Sequence, residues 1–473
     1  MQAACAPVPK LGARPEPRGP ASIAAEQSLQ PRAADPVWPS EQWWQPWGDP
    51  QLDALIAEGL AGSPDVAAAA ARLRQAAALA QQAGAALLPS VDVNGKVSED
   101  KQSLNNGFPD QIKALLPQGW SDNAQISATL AWDLDLWGKN RANLRAATSE
   151  ARAAAVDARQ AQLMLATSIA SAYADLARLM DERDVRQSEV EVRSATAKLI
   201  AQRESQGLEH RGNMLQSQAL ALSARADLAA ADEQVLLRRH QLAALVGAGP
   251  NRGLAITRPA LPTGIAVALP ADVTTNLVAR RPDVVAARDR VEAAAQRIKV
   301  AKADFYPAIR LSALVGFQSL GIGKLFEADS VYGSVGPAVS LPIFHGGAIQ
   351  GRYRGARAAY DLAVADYDKT VLGAYQQTAD AVTSREQTAR RLVDSAAARK
   401  AAEDAYTIAQ LRYRGGLSTY LDVLAGEDRL LQTRLTTAQI KALARGVDIA
   451  LIRALGGGFD PATTERVKVS ANE

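Results

Sequence analysis

The sequence predicts an α+β membrane protein in which short amphipathic strands alternate with very long coiled-coil helices, the whole arranged as an internal duplication. Three observations carry that prediction. Between the glycine turns at Gly346-Gly347 and Gly415-Gly416 more than sixty residues run without a proline, and at 1.5 Å per residue such a helix reaches roughly 100 Å. Segments that alternate apolar and polar residues precede this run and a second one like it. Landmarks also recur at fixed offsets: Ser63-Pro64-Asp65-Val66 with Arg281-Pro282-Asp283-Val284 and Pro89 with Pro307 at 218, then Gly207-Leu208 with Gly416-Leu417 and Gly247 with Gly456 at 209. Self-similarity at a fixed spacing is the mark of repeated structural units.

In the long run after Gly347, Tyr360, Val364, Tyr367, Val371, Ala374, Thr378 and Ala381 step alternately by four and three. That is a coiled-coil seam, and its alanines let neighbouring helices approach closely. A matching run follows Gly138 and continues to about Ser205, with Leu163, Ala166, Ala170, Tyr173, Ala177 and Met180 on one stripe. Turns bracketed by Gly207 and Gly212, and by Gly415 and Gly416, lead into returning helices that reach Gly247 and Gly456.

The strands are read from period two. Val91, Val93 and Val97 alternate with Asp92, Asn94 and Lys96; Ile126, Ala128, Leu130, Trp132, Leu134 and Leu136 alternate with polar residues. The second half repeats this with Ile309, Leu311, Ala313, Val315 and Phe317, and with Val335, Val339, Leu341 and Ile343. Before the first strand lie a short helix ending near Ala61 and an Ala-rich helix opened by Pro64 and stopped by Pro89. The expected organisation is an extended segment over residues 1–40, a first repeat over 41–247, a Gly/Pro-rich connector over 248–270, a second repeat over 271–457 and a tail over 458–473.

Bulk properties narrow the field. The 473 residues carry 53 Lys+Arg against 50 Asp+Glu, a net charge of +3 with both signs interspersed, so no nucleic-acid surface is expected. The single cysteine, Cys5, excludes an intrachain disulfide and a cysteine zinc site. No run of eighteen apolar residues offers a membrane helix, which leaves a β-barrel open. Four strands cannot close such a barrel, whereas three chains supply twelve, and closure removes strand edges that lipid does not tolerate.

Several stretches together resemble the outer-membrane efflux channels of the OprM/NodT type, relatives of TolC. These are Trp43-Trp44 with Asp49-Pro50-Gln51-Leu52, Arg280-Arg281-Pro282-Asp283-Val284, Phe305-Tyr306-Pro307, Leu341-Pro342-Ile343-Phe344 with Gly346-Gly347, and Arg412-Tyr413 with Gly416 and Leu421-Asp422-Val423-Leu424. The resemblance covers about residues 40–457. It implies a homotrimeric outer-membrane lipoprotein with a twelve-stranded barrel and a periplasmic α-helical tunnel. It further implies a periplasmic adaptor and an inner-membrane RND transporter as partners, exporting drugs or other small molecules. The chain departs from the family pattern at His345, where Asp is common, and at Ala425, where relatives carry an acid one turn after the constricting leucine.

The resemblance places adaptor-docking tips at Gly207, Leu208, Gly416, Leu417 and Ser418, and a periplasmic gate at Leu421 and Asp422. For Asp422 a helix-capping role is the alternative. Small residues before Cys5 resemble the end of a lipoprotein signal, so an acyl anchor such as palmitate is expected there, although Gln2 replaces the usual leucine and no charged or apolar leader precedes it. Asp133 and Asp135 are candidates for the lumen, and the Arg280-Arg281 pair is read as a structural anchor. No enzyme, cofactor or metal is expected. His210, His240 and His345 lack ligand spacing, Gly323-Lys324 misses the P-loop pattern, and Gly247-Ala248-Gly249 follows a helix, not a strand. The alternatives are a duct of this fold for type I protein secretion, or a periplasmic coiled-coil scaffold without a pore.

Overall fold

The computed structural model describes residues 8–29, 38–105, 107, 109–262, 269–270 and 272–461. Cys5 and most of the C-terminal tail lie outside the described residues. The elements run α1 (Pro50–Gly62), α2 (Pro64–Ala85), β1 (Ser90–Lys101), α3 (Asp110–Lys113), β2 (Trp120–Asp133), α4 (Lys139–Ser205) and α5 (Arg211–Leu245). They continue with α6 (Pro250–Leu254), α7 (Val273–Arg280), α8 (Pro282–Ala303), β3 (Ala308–Leu320), β4 (Val331–Ser340), α9 (Ala348–Arg414) and α10 (Tyr420–Ala454). Helix lengths recur: 22 residues in α2 and α8, 67 in α4 and α9, 35 in α5 and α10.

The chain divides into two compact units. The first, built from Arg74–Ala153 and Arg288–Asp366 with the start of the N-terminal strap, holds the four strands found among the described residues. They form one antiparallel sheet in the order β1-β2-β3-β4. Two strands end earlier than their alternation implies. β2 stops at Asp133, so Leu134 and Leu136 fall in the turn that enters α4, and β4 stops at Ser340, before Leu341 and Ile343. The cause at β2 is Asp135, which takes a left-handed conformation at φ 45°. Its carboxylate accepts from the backbone N–H of Asn140 at 2.8 Å and of Arg141 at 3.0 Å. It thus caps the start of α4.

Within the same unit Asp304 links the starts of both long helices, at 2.7 Å from Lys139 Nζ and 3.2 Å from Arg352 Nη1. Nearby, the Trp137 ring stacks on Tyr306 with centroids 4.8 Å apart, and its N–H donates to the Pro307 carbonyl at 2.7 Å. The strap is extended here: the Arg357 guanidinium donates to the carbonyls of Gly12 and Ala13, and the Tyr360 hydroxyl donates to that of Pro15.

The second unit is helical and contains the main core. Trp43, Trp47, Leu52, Leu55 and Ile56 pack against the α4 stripe of Ile169, Ala170, Tyr173 and Leu176, with Leu242 from α5 and Val246 at its C-terminal cap. Asp49 organises this region. It is buried, caps α1 by accepting from the N–H of Gln51 and Leu52, and also accepts from the Tyr173 hydroxyl at 2.8 Å and the Ala260 N–H at 2.9 Å. Arg281 is the counterpart in the second half. Buried, it donates to both carboxylate oxygens of Asp283, to the Ala454 carbonyl and to Gln377, so it is a structural anchor. Tyr360, Val364, Tyr367, Val371, Ala374, Thr378 and Ala381 are all buried along α9.

Candidate functional site

Two surfaces stand out, one on the sheet and one at the helix-helix turns. On the sheet, register sorts the side chains by chemistry. Cross-strand rows on one face read Val91-Leu130-Ala313-Val335, Val93-Ala128-Val315-Gly333 and Gly95-Ile126-Phe317-Val331. The adjacent rows on the other face read Asp92-Thr129-Leu314-Ser334, Asn94-Ser127-Gly316-Tyr332 and Asp133-Arg310-Ala338. Polar partners meet within that second face: Arg310 Nε lies 2.8 Å from Asp133, and the Gln125 amide donates to the Tyr332 hydroxyl.

Among the described residues, none covers the apolar face. Val93 is 70% exposed, Val335 78% and Val339 66%, whereas a soluble sheet buries such a face against a second layer. Among the described residues, the outer edges of β1 and β4 have no partner strand. Exposed aromatics sit near both ends of the strands, with Trp120 and Phe326 at one and Trp132, Trp137 and Tyr306 at the other. Apolar bands flanked by aromatic residues are how outer-membrane strands meet lipid and its interfaces. No helix among the described residues is long and apolar enough to cross a membrane.

The helix-helix turns share one geometry. α4 ends with Gly207 at φ +70°, where the Gly207 N–H donates to the Glu204 carbonyl at 2.9 Å and the Leu208 N–H to that of Arg203 at 2.8 Å. α9 ends with Gly416 at φ +71°, where the Gly416 N–H donates to Tyr413 at 3.1 Å and the Leu417 N–H to Arg412 at 2.8 Å. Each is a Schellman stop, which needs a left-handed residue and therefore favours glycine. It leaves Leu208 and Leu417 exposed at the turn. Gly212 is not part of the turn but lies in the first turn of α5.

The restarts differ. His210 caps α5 through Nδ1, which accepts from the Asn213 N–H at 3.3 Å. α10 opens with a capping box between Thr419 and Asp422. There the Asp422 carboxylate accepts from the Thr419 N–H at 2.8 Å and from its hydroxyl at 2.9 Å, and these bonds hold its pKa below the usual carboxylate value. Asp422 is thus committed to capping, while Leu421 beside it is exposed. The Ser418 hydroxyl is screened from solvent and makes no hydrogen bond. Arg203 lies 5.1 Å over the Tyr413 ring, and Tyr413 lies 6.3 Å from Tyr420, so the two turns share a packed aromatic cluster.

Above this cluster is an arrangement that no motif announces. Arg193 on α4 is surrounded by Glu189 at 2.8 Å, Glu427 at 3.4 Å and Asp428 at 2.8 Å. Arg193, Glu189 and Glu427 are each buried. Among the described residues no group of three or more His, Cys, Asp or Glu is placed to hold a metal ion.

One lipid-compatible sheet face with two open edges, on a chain that also carries two long helical hairpins, defines a protomer of a TolC-like outer-membrane channel. Residues 55–248 and 273–457 match the outer membrane efflux protein family, and the chain belongs to that family. It is 35% identical over 346 residues to the fusaric acid resistance protein FusA of Burkholderia cepacia, a match spanning 71% of this chain and 63% of FusA. It is 29% identical over 457 residues to the multidrug resistance outer membrane protein MdtP of Escherichia coli K12, covering 92% of each. The crystal structure of the outer membrane protein VceC from Vibrio cholerae superimposes with a TM-score of 0.83 at 41% identity, over 89% of this chain and 100% of VceC. The chain is an outer-membrane efflux channel protein.

Proposed function

We propose that three copies of this chain close their sheets into one twelve-stranded barrel above a periplasmic helical tunnel, and that the trimer is the exit duct of a tripartite efflux pump. The observation that carries this is the sheet with an exposed apolar face and unpartnered β1 and β4 edges. In lipid each unpaired backbone group costs several kcal/mol, so β4 of one copy pairs with β1 of the next until the ring closes. The polar rows with Asp92, Asn94, Asp133 and Arg310 then line a wet lumen. Small molecules pass through it without bond chemistry, and energy comes from an inner-membrane RND transporter.

A periplasmic adaptor docks on the glycine turns, at Gly207, Leu208, Gly416, Leu417 and Ser418. Their exposed leucines and side-chain-free glycines suit a partner hairpin. Leu421 from three copies narrows the tunnel, and Asp422 serves it by fixing the start of α10. Cys5 carries the lipid anchor. The repeats 41–247 and 271–457 supply one hairpin and two strands each.

Planar-bilayer conductance of the purified oligomer tests this reading, with Leu421→Ser and Asp422→Ala beside the wild type. A small wild-type current that grows in Leu421→Ser is the expected result. Silence from all three forms, with intact trimers, would overturn the duct.

A further inference from the structure

We infer that Glu427 is a proton-operated element that sets how tightly α10, and with it the second tip, is held to α4. The inference deepens the duct reading and rests on it. It starts from geometry. Glu427 lies one and a half turns after Leu421-Asp422 on α10 and is 7% exposed. It approaches Arg193 Nε at 3.4 Å, but the same nitrogen already faces Glu189 at 2.8 Å, and Arg193 Nη2 bonds Asp428 at 2.8 Å. One guanidinium is shared by three carboxylates. Glu427 Oε1 is shut off from solvent yet has no hydrogen bond, and neither does Arg193 Nε.

The remaining neighbours do not repair the deficit. On α4, Arg186 is engaged with Glu189 at 2.9 Å and with Asp227 at 3.6 Å. On α10, Arg434 is engaged with Glu403 of α9 at 2.9 Å. The aromatic groups facing the site, Tyr406 on α9 and Tyr420 on α10, are neutral phenols whose pKa values burial raises, to about 12 for Tyr406. Beside the cluster lies a cavity of about 260 Å³ lined by Val185, Val192, Tyr406, Glu427, Leu430 and Arg434 among others. It gives the side chain somewhere to go when it ionises.

Desolvation raises the Glu427 carboxyl from 4.5 to about 7, with Asp428 and Glu189 adding to it and Arg193 opposing it. A carboxyl whose pKa is raised in the packed arrangement binds its proton more tightly there. Packing is therefore favoured in acid, and that advantage fades as pH rises from 4.5 through about 7. Ionised, Glu427 is a buried charge that shares the one Arg193 guanidinium with two like charges and has no hydrogen bond to Oε1, and α10 relieves it by loosening. If the loosened state restores an ordinary carboxyl, its population relative to the packed state rises up to about seventyfold between pH 5 and pH 8. Glu427 is a positioning residue, since it acts on the tip through α10.

The test compares wild type with Glu427→Gln, a neutral isostere, in the assembled protein across pH 5–8. Hydrogen exchange of the Tyr420–Leu430 amides, ratioed between the two forms at each pH to remove intrinsic chemistry, reads the helix directly. The expected result is equal protection at pH 5 and at least tenfold greater protection in Glu427→Gln at pH 8. Equal protection at pH 8 would overturn the inference. In bilayers, open probability should climb near pH 7 in wild type and stay low and flat in Glu427→Gln; superimposable profiles would also overturn it. Loss of all current, with the exchange difference intact, would instead count against the duct reading.

Discussion

Asp49→Ala tests whether one buried carboxylate holds the helical unit together. Asp49 is 4% exposed and accepts four hydrogen bonds: two at the start of α1, one from Tyr173 on α4 and one from Ala260 in the connector. Loss of the cap costs about 1 kcal/mol. The buried Tyr173 hydroxyl then has no acceptor, and the Ala260 N–H loses its partner, each worth about 1–3 kcal/mol. Removing a buried charge returns part of this, so the net expectation is a loss of about 2–4 kcal/mol. Tyr173→Phe, which removes one donor to a charged acceptor, should cost about 1.5–3 kcal/mol. Because the two groups share a bond, the double variant should lose less than the sum by at least about 1 kcal/mol. Thermal unfolding in detergent, followed by helical circular dichroism, reads this as a fall of roughly 2–4 °C for Asp49→Ala in a chain of this length. Strict additivity, or a wild-type melting curve for Asp49→Ala, would refute the reasoning.

The glycines make a second comparison. Gly207→Ala and Gly416→Ala place a Cβ in open space at φ near +70°, a strain of about 1–2 kcal/mol confined to the tip. Gly247→Ala and Gly456→Ala add to the same strain a collision with the carbonyl oxygens of Gly62 and Arg280, so expression and melting temperature should fall much further in that pair. On the sheet, Val335→Arg on the apolar face should reduce membrane assembly, with a cost of about 2–4 kcal/mol if the residue sits near mid-bilayer. Ser334→Arg, one residue away on the polar face, should assemble normally and change single-channel conductance. Heat-modifiable gel mobility distinguishes the two, and equal assembly would refute the assignment of faces.

The helices and the sheet faces were legible because both are written in local periodicity. The seam from Tyr360 to Ala381 is buried throughout, and the valines at 91, 93 and 97 share one face with the apolar residues of β2, β3 and β4. Periodicity says which way a residue points but not where an element stops. Alternation runs on to Leu136, whereas the strand ends at Asp133 because Asp135 turns to cap α4. Long-range polar partnerships were not legible at all. Asp49 meets Tyr173 across 124 residues, and Arg193 meets Asp428 across 235, and no spacing rule connects such positions. At the tips the glycines were readable, because a left-handed turn is a local demand. That Asp422 is spent on a capping box could be posed from sequence only as one of two alternatives.

That capping box matters for how the two hairpins can behave. The stops of α4 and α9 are the same Schellman geometry, so any difference in stiffness comes from the restarts. At the second tip, Thr419 and Asp422 satisfy each other reciprocally, two donors at once, which ties the first turn of α10 into a unit. At the first tip the His210 ring accepts from the Asn213 N–H at 3.3 Å, while Glu209 accepts from the His210 N–H at 3.1 Å and from the Asn213 side-chain amide at 2.9 Å. What sets the second tip apart is that Leu421 and Glu427 lie six residues apart on α10, whose first turn the capping box holds, so a shift at Glu427 reaches Leu421 through less than two turns of one helix.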